Sequence, residues 1–114
     1  MIGRIRSRAV FRRLREHGAR HRSGPVSLVV LPVGPDDPAV GGIAFAIPRS
    51  VGSAVVRNGV RRRMRAAARD LDRRDRFPAV WCLIVARPGV ERLGVADLAQ
   101  RMDRVLNEGP AGRA

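Results

Sequence analysis

The 114-residue chain contains no lysine and no tyrosine, one cysteine, three phenylalanines and one tryptophan. A single cysteine excludes a disulfide within the chain, and the apolar run around Cys82 predicts a buried residue rather than a nucleophile. No apolar run approaches the ~20 residues that span a bilayer, and no signal-peptide core is recognisable. These absences favour a cytoplasmic protein without a membrane partner.

The sequence also lacks a catalytic constellation. Its ten acids are scattered among arginines, and His17 and His21 have no cysteine or acid spaced to complete a zinc site. There is no glycine-rich nucleotide-binding motif. We therefore expect no catalytic residue, no metal ligand and no small-molecule substrate in the polypeptide itself.

What the chain does have is arginine, which accounts for all 23 basic residues and gives a formal net charge of +13. Eight arginines lie in residues 1–22 and seven in residues 49–69, whereas residues 23–48 contain none. A surface selected only for solubility would mix its charges more evenly. Two basic segments predict one composite basic face that binds a polyanion.

The densest basic segment begins at Arg57 and ends at Arg65, with five arginines and Asn58 in nine residues. Ser53 is a suitable N-cap for a helix over residues 54–70. At about 100° per residue, one face of this helix carries the apolar residues Val56, Val60, Met64, Ala67 and Leu71. The neighbouring arc carries Arg57, Asn58, Arg61, Arg62, Arg65 and Arg69. The alternative is an ordinary solvated helix face without a ligand.

The remaining pattern predicts one α+β domain over residues 1–114, in which a small mixed sheet packs with helices in the order α-β-β-β-α-β-α. We expect a helix over Arg8–His17, capped by Ser7 and ended by Gly18, and a last helix over 95–107. Apolar runs predict strands at 26–31, 42–47 and 81–86, with a further short extended piece at 49–51. The other segments are expected to be a loose basic N-terminus (1–6), a connector (70–78) and a frayed tail (108–114).

Phe11 is the only aromatic residue within an arginine cluster. We expect it to face inward with Val10 and Leu14, and the alternative is a platform that stacks a base at the edge of a groove. Few aromatics beside many arginines favour contact with a nucleic-acid backbone over the reading of its sequence.

The segment with Arg57, Asn58, Arg61, Arg62 and Arg65 resembles the signature of a known family, the protein component of bacterial ribonuclease P. Three flanking features match this family in order and spacing: the lead-in at 51–56, Phe11 followed by Gly18, and the strand and turn at 83–89. The resemblance covers nearly the whole chain.

This resemblance implies a left-handed crossover through the basic helix, an exception to the usual right-handed rule. It also implies two partners, a large catalytic RNA and precursor tRNA. The RNA and its Mg²⁺ ions, held mainly by the RNA, would hydrolyse the bond that joins the 5′ leader to the tRNA. The protein would be a subunit of this endonuclease, inactive alone.

For individual residues, the resemblance implies that the basic helix, together with Arg49, faces the RNA subunit. A cleft between the first helix and the sheet would take the single-stranded leader, with Phe11, Arg12 and Arg15 as candidates for its lining. Gly59, Pro48, Ser50 and Arg15 depart from the family pattern, which weakens the case for tight leader binding. The alternatives are therefore a divergent paralogue with weakened leader binding, a non-catalytic RNA-binding or ribosomal protein, and, least favoured, a stand-alone nuclease.

Overall fold

A computed structural model describes residues 2–38 and 40–108. Five strands form one mixed sheet, and three α-helices pack on it. The strands are β1 (Gly3–Arg4), β2 (Ala19–Ser23), β3 (Val26–Pro32), β4 (Gly41–Ala46) and β5 (Val80–Ala86). The helices are α1 (Arg8–His17), α2 (Ala54–Arg73) and α3 (Val95–Asp103), which continues as a π-helical segment, Arg104–Glu108. The predicted α+β class with a small mixed sheet is confirmed.

The order of strands in the sheet is β1-β4-β5-β3-β2. β5 lies at the centre because it pairs in parallel with β4 and antiparallel with β3, and it is the continuous apolar run identified in the sequence. The parallel β4–β5 pair is connected through α2. The left-handed sense implied for this crossover stays a prediction.

The sheet is covered unequally on its two faces. α2 and α3 bury one face in a large apolar core that includes Leu28, Cys82 and Ile84. On the other face, α1 buries a small cluster made of Ile5, Val10, Leu14, Val29 and Trp81. Since α1 has only ten residues, part of this second face stays open beside it.

Two strands were missed by the sequence reading. The segment 1–6 is not loose in its described part, because Gly3–Arg4 pairs with β4 and Ile5 is buried. β2 was not predicted because its sequence Ala-Arg-His-Arg-Ser has no apolar alternation, and it pairs with β3 alone at the edge of the sheet.

Other boundaries also differ from the prediction. Arg49–Val51 is a turn of 3₁₀-helix rather than an extended piece, since the Val51 N–H bonds to the carbonyl of Pro48 and the Val51 side chain is buried. The last α-helix ends at Asp103, and Glu108 belongs to the π-helical segment rather than to a frayed tail. The rest of the predicted tail, 109–114, lies outside the described residues. Within the described part, no helix has the length and apolar character needed to span a membrane.

Candidate nucleic-acid interface

The basic helix forms as its sequence predicts. The Ser53 hydroxyl accepts a hydrogen bond from the Val56 N–H (3.3 Å), which satisfies one free donor of the first turn. The helix ends at Arg73 rather than at residue 70, so the connector begins later than expected. Its buried stripe is apolar and anchors it to the sheet: Val60, Met64, Ala67, Ala68 and Leu71.

Two residues of the signature are held in place by local hydrogen bonds. Arg57 is half-buried, and its Nε donates to the carbonyl of Gly52 (3.2 Å). The Asn58 side-chain oxygen accepts from the guanidinium of Arg61 (3.2 Å), one turn further along. Because Asn58 restrains Arg61, less side-chain entropy is lost when that guanidinium binds a phosphate.

Arg63 points elsewhere. Its guanidinium donates to the backbone carbonyls of Glu91 (3.0 Å) and Leu93 (2.8 Å), in the segment between β5 and α3. Arg63 therefore fastens α2 to that segment.

The outward-facing arginines of α2 are not neutralised by the protein's own acids. Within the described residues, the ion pairs use Arg13, Arg73, Arg74, Arg76 and Arg101, and a weak contact joins His17 to Glu16. None of them involves the candidate RNA-binding arginines, which are Arg49, Arg57, Arg61, Arg62, Arg65 and Arg69. Their positive charge is therefore available to an external anion.

Some of these arginines line a groove of about 460 Å³ between β1 and α2, here named the β1–α2 groove. Arg61, Arg65 and Arg69 line it from α2, and Arg4 lines it from β1. The Phe45 ring, half-buried, also contributes to its lining. Sequence reasoning missed Arg4 because the N-terminal segment was expected to be loose.

A second groove, of about 760 Å³, lies on the opposite face of the sheet beside α1 and is named the α1 groove. Its apolar floor contains Val29 and Leu83, and its arginine lining comes from α1 and β2: Arg8, Arg12, Arg15 and Arg20. The arginines of α1 and β2 therefore line a different groove from those of α2, rather than one continuous face. Arg4 is the exception, since it belongs to the first basic segment but lines the β1–α2 groove. Arg20 was missed as a lining residue because β2 was not predicted.

Phe11 also lines the α1 groove and is 38% exposed. The expectation that it faces inward was wrong, because the apolar face of α1 is narrow and is filled by Val10 and Leu14. Its position fits the alternative, an aromatic platform at the edge of a groove. Arg12 and Arg15 lie beside it in the same lining.

Gly18 ends α1 and lies in the lining of this groove. Its φ of −68° is open to any residue, so the reason for glycine is space. A side chain at this position would collide with the Leu14 carbonyl and with Val29. Glycine thus lets the end of α1 lie close to β3.

Two titratable groups have strongly shifted pKa values. Hydrogen bonds from Arg13, Trp81 and the Gly34 N–H lower the pKa of Asp37 from 3.8 to about 2. Complete burial raises the pKa of the Cys82 thiol to about 12. Cys82 is therefore a core residue, as predicted, and is not poised as a nucleophile.

The described residues do not offer the donor set of a metal site. They contain no group of three or more histidine, cysteine, aspartate or glutamate side chains that could hold a metal ion. The chemistry available at both grooves is therefore that of guanidinium groups, an aromatic ring and apolar floor residues, which suits phosphates and bases.

Comparisons with known proteins found a matching family model, similar sequences and similar folds. The family model described as Ribonuclease P matches residues 3–109. A ribonuclease P protein component of Gluconacetobacter diazotrophicus is 32% identical over 92% of this chain and 89% of its own length, and one from Nocardioides is 37% identical over 90% and 87%. The structure of the Staphylococcus aureus RNase P protein superposes with a TM-score of 0.77 at 16% identity, covering 97% of this chain and 98% of that one. The protein from Thermotoga maritima superposes with a TM-score of 0.75 at 16% identity, covering 92% and 96%.

Proposed function

Because this chain belongs to the family of ribonuclease P protein components, we propose that it binds a catalytic RNA and the 5′ leader of precursor tRNA, and so assists removal of the leader. Membership makes the chain a subunit of a ribonucleoprotein endoribonuclease with a role in tRNA processing. What we propose beyond membership is which RNA each basic surface binds.

The RNA subunit is assigned to the arginine side of α2. The observation that supports this assignment is that its candidate arginines form no ion pair with an acid of the described residues. Arg57 and Arg61 are in addition held by local hydrogen bonds. Each phosphate that it neutralises releases counterions from the RNA, which lowers the free energy of assembly between two polyanions. We add Arg4 to the candidate RNA-binding residues because it lines the β1–α2 groove together with Arg61, Arg65 and Arg69.

The single-stranded leader is assigned to the α1 groove. Its width is set by a helix on one side and a β-sheet on the other, and its arginines can pair with a flexible backbone while Phe11 stacks a base. Mature tRNA lacks the leader, so such contacts favour precursor over product. Arg15 lies beside Phe11 in the same lining and offers a guanidinium to the strand.

The protein's proposed contribution to catalysis is binding and positioning. The part of the chain that the structure describes has no cluster of three or more acidic, histidine or cysteine side chains that could hold a metal ion, so we assign the magnesium ions of the reaction mainly to the RNA. No proton transfer or nucleophilic attack is assigned to a side chain of this chain.

Reconstitution with a bacterial ribonuclease P RNA at low Mg²⁺ tests the proposal. We expect the protein to raise the rate of 5′ cleavage of precursor tRNA well above that of the RNA alone. Cleavage that stays at the RNA-alone level would show instead a plain RNA-binding protein or a divergent paralogue. Incubation of the protein without RNA is the control, and correct 5′ cleavage there would establish a stand-alone nuclease.

A further inference from the structure

One carboxylate joins three parts of the molecule that surround the small core under α1. Asp37, in the loop between β3 and β4, accepts hydrogen bonds from Arg13 of α1 (2.9 and 3.1 Å) and from the indole N–H of Trp81 on β5 (3.1 Å). It also accepts from the Gly34 N–H of its own loop (2.8 Å). A helix, a central strand and a loop are therefore held by a single side chain.

α1 has few other attachments to the rest of the protein. Val10 and Leu14 are its only buried side chains, and they pack in a cluster with Ile5, Val29 and Trp81. Among the described residues, the Arg13–Asp37 pair is the only ion pair that links α1 to another element. Trp81 takes part in both attachments, since its ring packs in the cluster and its N–H bonds to Asp37.

The Arg13 attachment and the groove lie on opposite edges of α1. At about 100° per residue, Arg13 and Phe11 are about 160° apart around the helix, one on each side of the buried Val10 and Leu14. Arg13 therefore fastens the edge of α1 that faces away from the groove. Without that attachment, α1 could roll about its two apolar contacts and move Phe11, Arg12 and Arg15 relative to the sheet.

We propose that Asp37 is a positioning residue for the α1 groove: through Arg13 and Trp81 it holds α1 at the spacing from the sheet that accepts a single RNA strand. The inference rests on the proposed leader-binding function of this groove. If α1 is already ordered before the strand enters the groove, less conformational entropy is lost on binding. Loss of the Asp37 attachment should therefore weaken leader binding. It should leave the RNA-subunit surface on α2 unaffected.

The neighbouring residue supplies a matched control. Asp36 is exposed, so Asp36→Asn removes the same charge as Asp37→Asn from the same loop. Trp81 is the only tryptophan, so the NMR signal of its indole N–H reports on the attachment in the isolated protein. We expect Asp37→Asn to shift that signal and to speed its exchange with solvent, and Asp36→Asn to leave it unchanged.

The functional readout is the KM of the reconstituted ribonucleoprotein for precursor tRNA with a long leader and with a single-nucleotide leader. The ratio of the KM for the single-nucleotide leader to the KM for the long leader is here called the long-leader advantage. We expect Asp37→Asn to lower this ratio by about three- to tenfold. The loss is expected in KM and not in kcat, with unchanged affinity for the RNA subunit. Asp36→Asn is expected to keep the wild-type advantage.

The possible failures are distinguishable. If the Trp81 signal moves in Asp37→Asn but the long-leader advantage is intact, the positioning role of Asp37 is wrong and leader binding by the groove stands. If the wild-type enzyme itself shows no dependence on leader length, the proposed function of the groove is wrong and the inference falls with it.

A second pair of variants covers the case in which Asp37→Asn does not fold. The Arg13 side chain is 40% exposed, so its truncation leaves the apolar contacts of α1 in place. We expect Arg13→Ala to lose the long-leader advantage and Arg13→Lys, which keeps the charge beside Asp37, to retain most of it. The inference would be overturned if Arg13→Ala and Arg13→Lys both kept the long-leader advantage of the wild type.

Discussion

At the residue scale, the arginines of α2 differ in what their guanidinium groups contact. Arg63 bonds to two backbone carbonyls beyond β5, Arg61 is restrained by Asn58, and Arg62 is exposed. The helical projection already leaves Arg63 off the proposed RNA-facing arc. Only the structure shows which groups the Arg63 side chain contacts, because nothing in the sequence of residues 91–93 indicates that they lie beside α2.

Asp37 makes stability depend on pH in a defined window. Its pKa is about 2 in the folded protein and 3.8 in the absence of its partners, so the unfolded chain binds the proton more readily. The stabilisation is therefore complete above pH 3.8 and is lost as the pH falls through about 2. We expect the difference in Tm between wild type and Asp37→Asn to be constant near neutrality and to shrink through this window.

The comparison cancels effects that both proteins share, such as the rising net charge in acid. Asp36→Asn serves again as the control, since an exposed carboxylate should give a small Tm difference at every pH. A Tm difference for Asp37→Asn that does not change between neutral pH and pH 2 would contradict the assigned hydrogen bonds.

Replacement of Phe11 tests whether its ring is a platform on which a base of the leader stacks. Since the ring is partly exposed, Phe11→Ala should change the free energy of unfolding by only about 0.5 kcal/mol. If a base stacks on it, the preference for precursor over mature tRNA should fall by about 1 kcal/mol or more, measured as a ratio of dissociation constants for the ribonucleoprotein. Val95→Ala is the control, because Val95 has a similar exposure (37%) and lines neither groove. Loss of folding in Phe11→Ala would identify the ring as a core residue.

At the element scale, α2 carries a glycine that its surroundings do not require. A Cβ at Gly59 would have Arg63 Nη2 at 3.7 Å and Arg62 Nη2 at 3.8 Å as its nearest neighbours, which are ordinary contacts. Glycine in a helix interior costs about 1 kcal/mol relative to alanine. We expect Gly59→Ala to raise Tm by about 4 °C in a thermal melt, with unchanged affinity for RNA.

Gly52, just before α2, is the contrasting control. Its φ of +154° is unusual for other residues, and a Cβ there would lie 2.9 Å from Cγ1 of Val56. Gly52→Ala should therefore lower Tm. A lower Tm in Gly59→Ala would mean that the helix is strained at residue 59 in a way that these distances do not reveal.

The predictability of each element follows from how much of its sequence faces the core. The central run of β5, the caps of α1 and α2, and the apolar stripe and basic arc of α2 were recognisable, because each has a period or a cap that physics requires. The inward face of α1 was predicted only in part, since Phe11 is exposed. β2 was not, because an edge strand made of arginine, histidine and serine buries too little to show alternation. β1 was too short, and its docking depends on distant partners, including the Asp72 carboxylate that accepts from the Ile2 N–H.

The candidate site was predictable to the same degree. Arg61, Arg65 and Arg69 were placed on one arc from helical spacing alone, and the structure brings them together in one groove. Arg4 and Arg20 depended on the two missed strands, so they could not be assigned. Asp37 could not be found either, because its three partners lie in α1, β5 and its own loop, and no local pattern relates them.

At the scale of the whole molecule, a net charge of +13 is arranged on an elongated body of about 39 × 28 × 23 Å. In the described part of the chain, four of the ten acids form ion pairs with arginines, which are Asp37, Asp70, Asp97 and Asp103. Eight arginines that form no ion pair within the described residues line two grooves on opposite faces of the sheet. This arrangement allows one molecule to contact a folded RNA on one face and a single strand on the other.

The central claim, that the arginine side of α2 binds the RNA subunit, is tested most directly by the salt dependence of that binding. Arg61 and Arg65 are replaced together by alanine, and the control replaces Arg92 and Arg104, which are exposed and line neither groove. Both double variants lose two charges, so the comparison separates phosphate contacts from net charge. The dissociation constant of each variant for the RNA subunit is measured over a series of salt concentrations.

We predict that loss of Arg61 and Arg65 makes the slope of log affinity against log salt shallower by about 1.4 to 1.8. The control should keep the wild-type slope. Equal slopes for wild type and the Arg61, Arg65 variant would contradict the account.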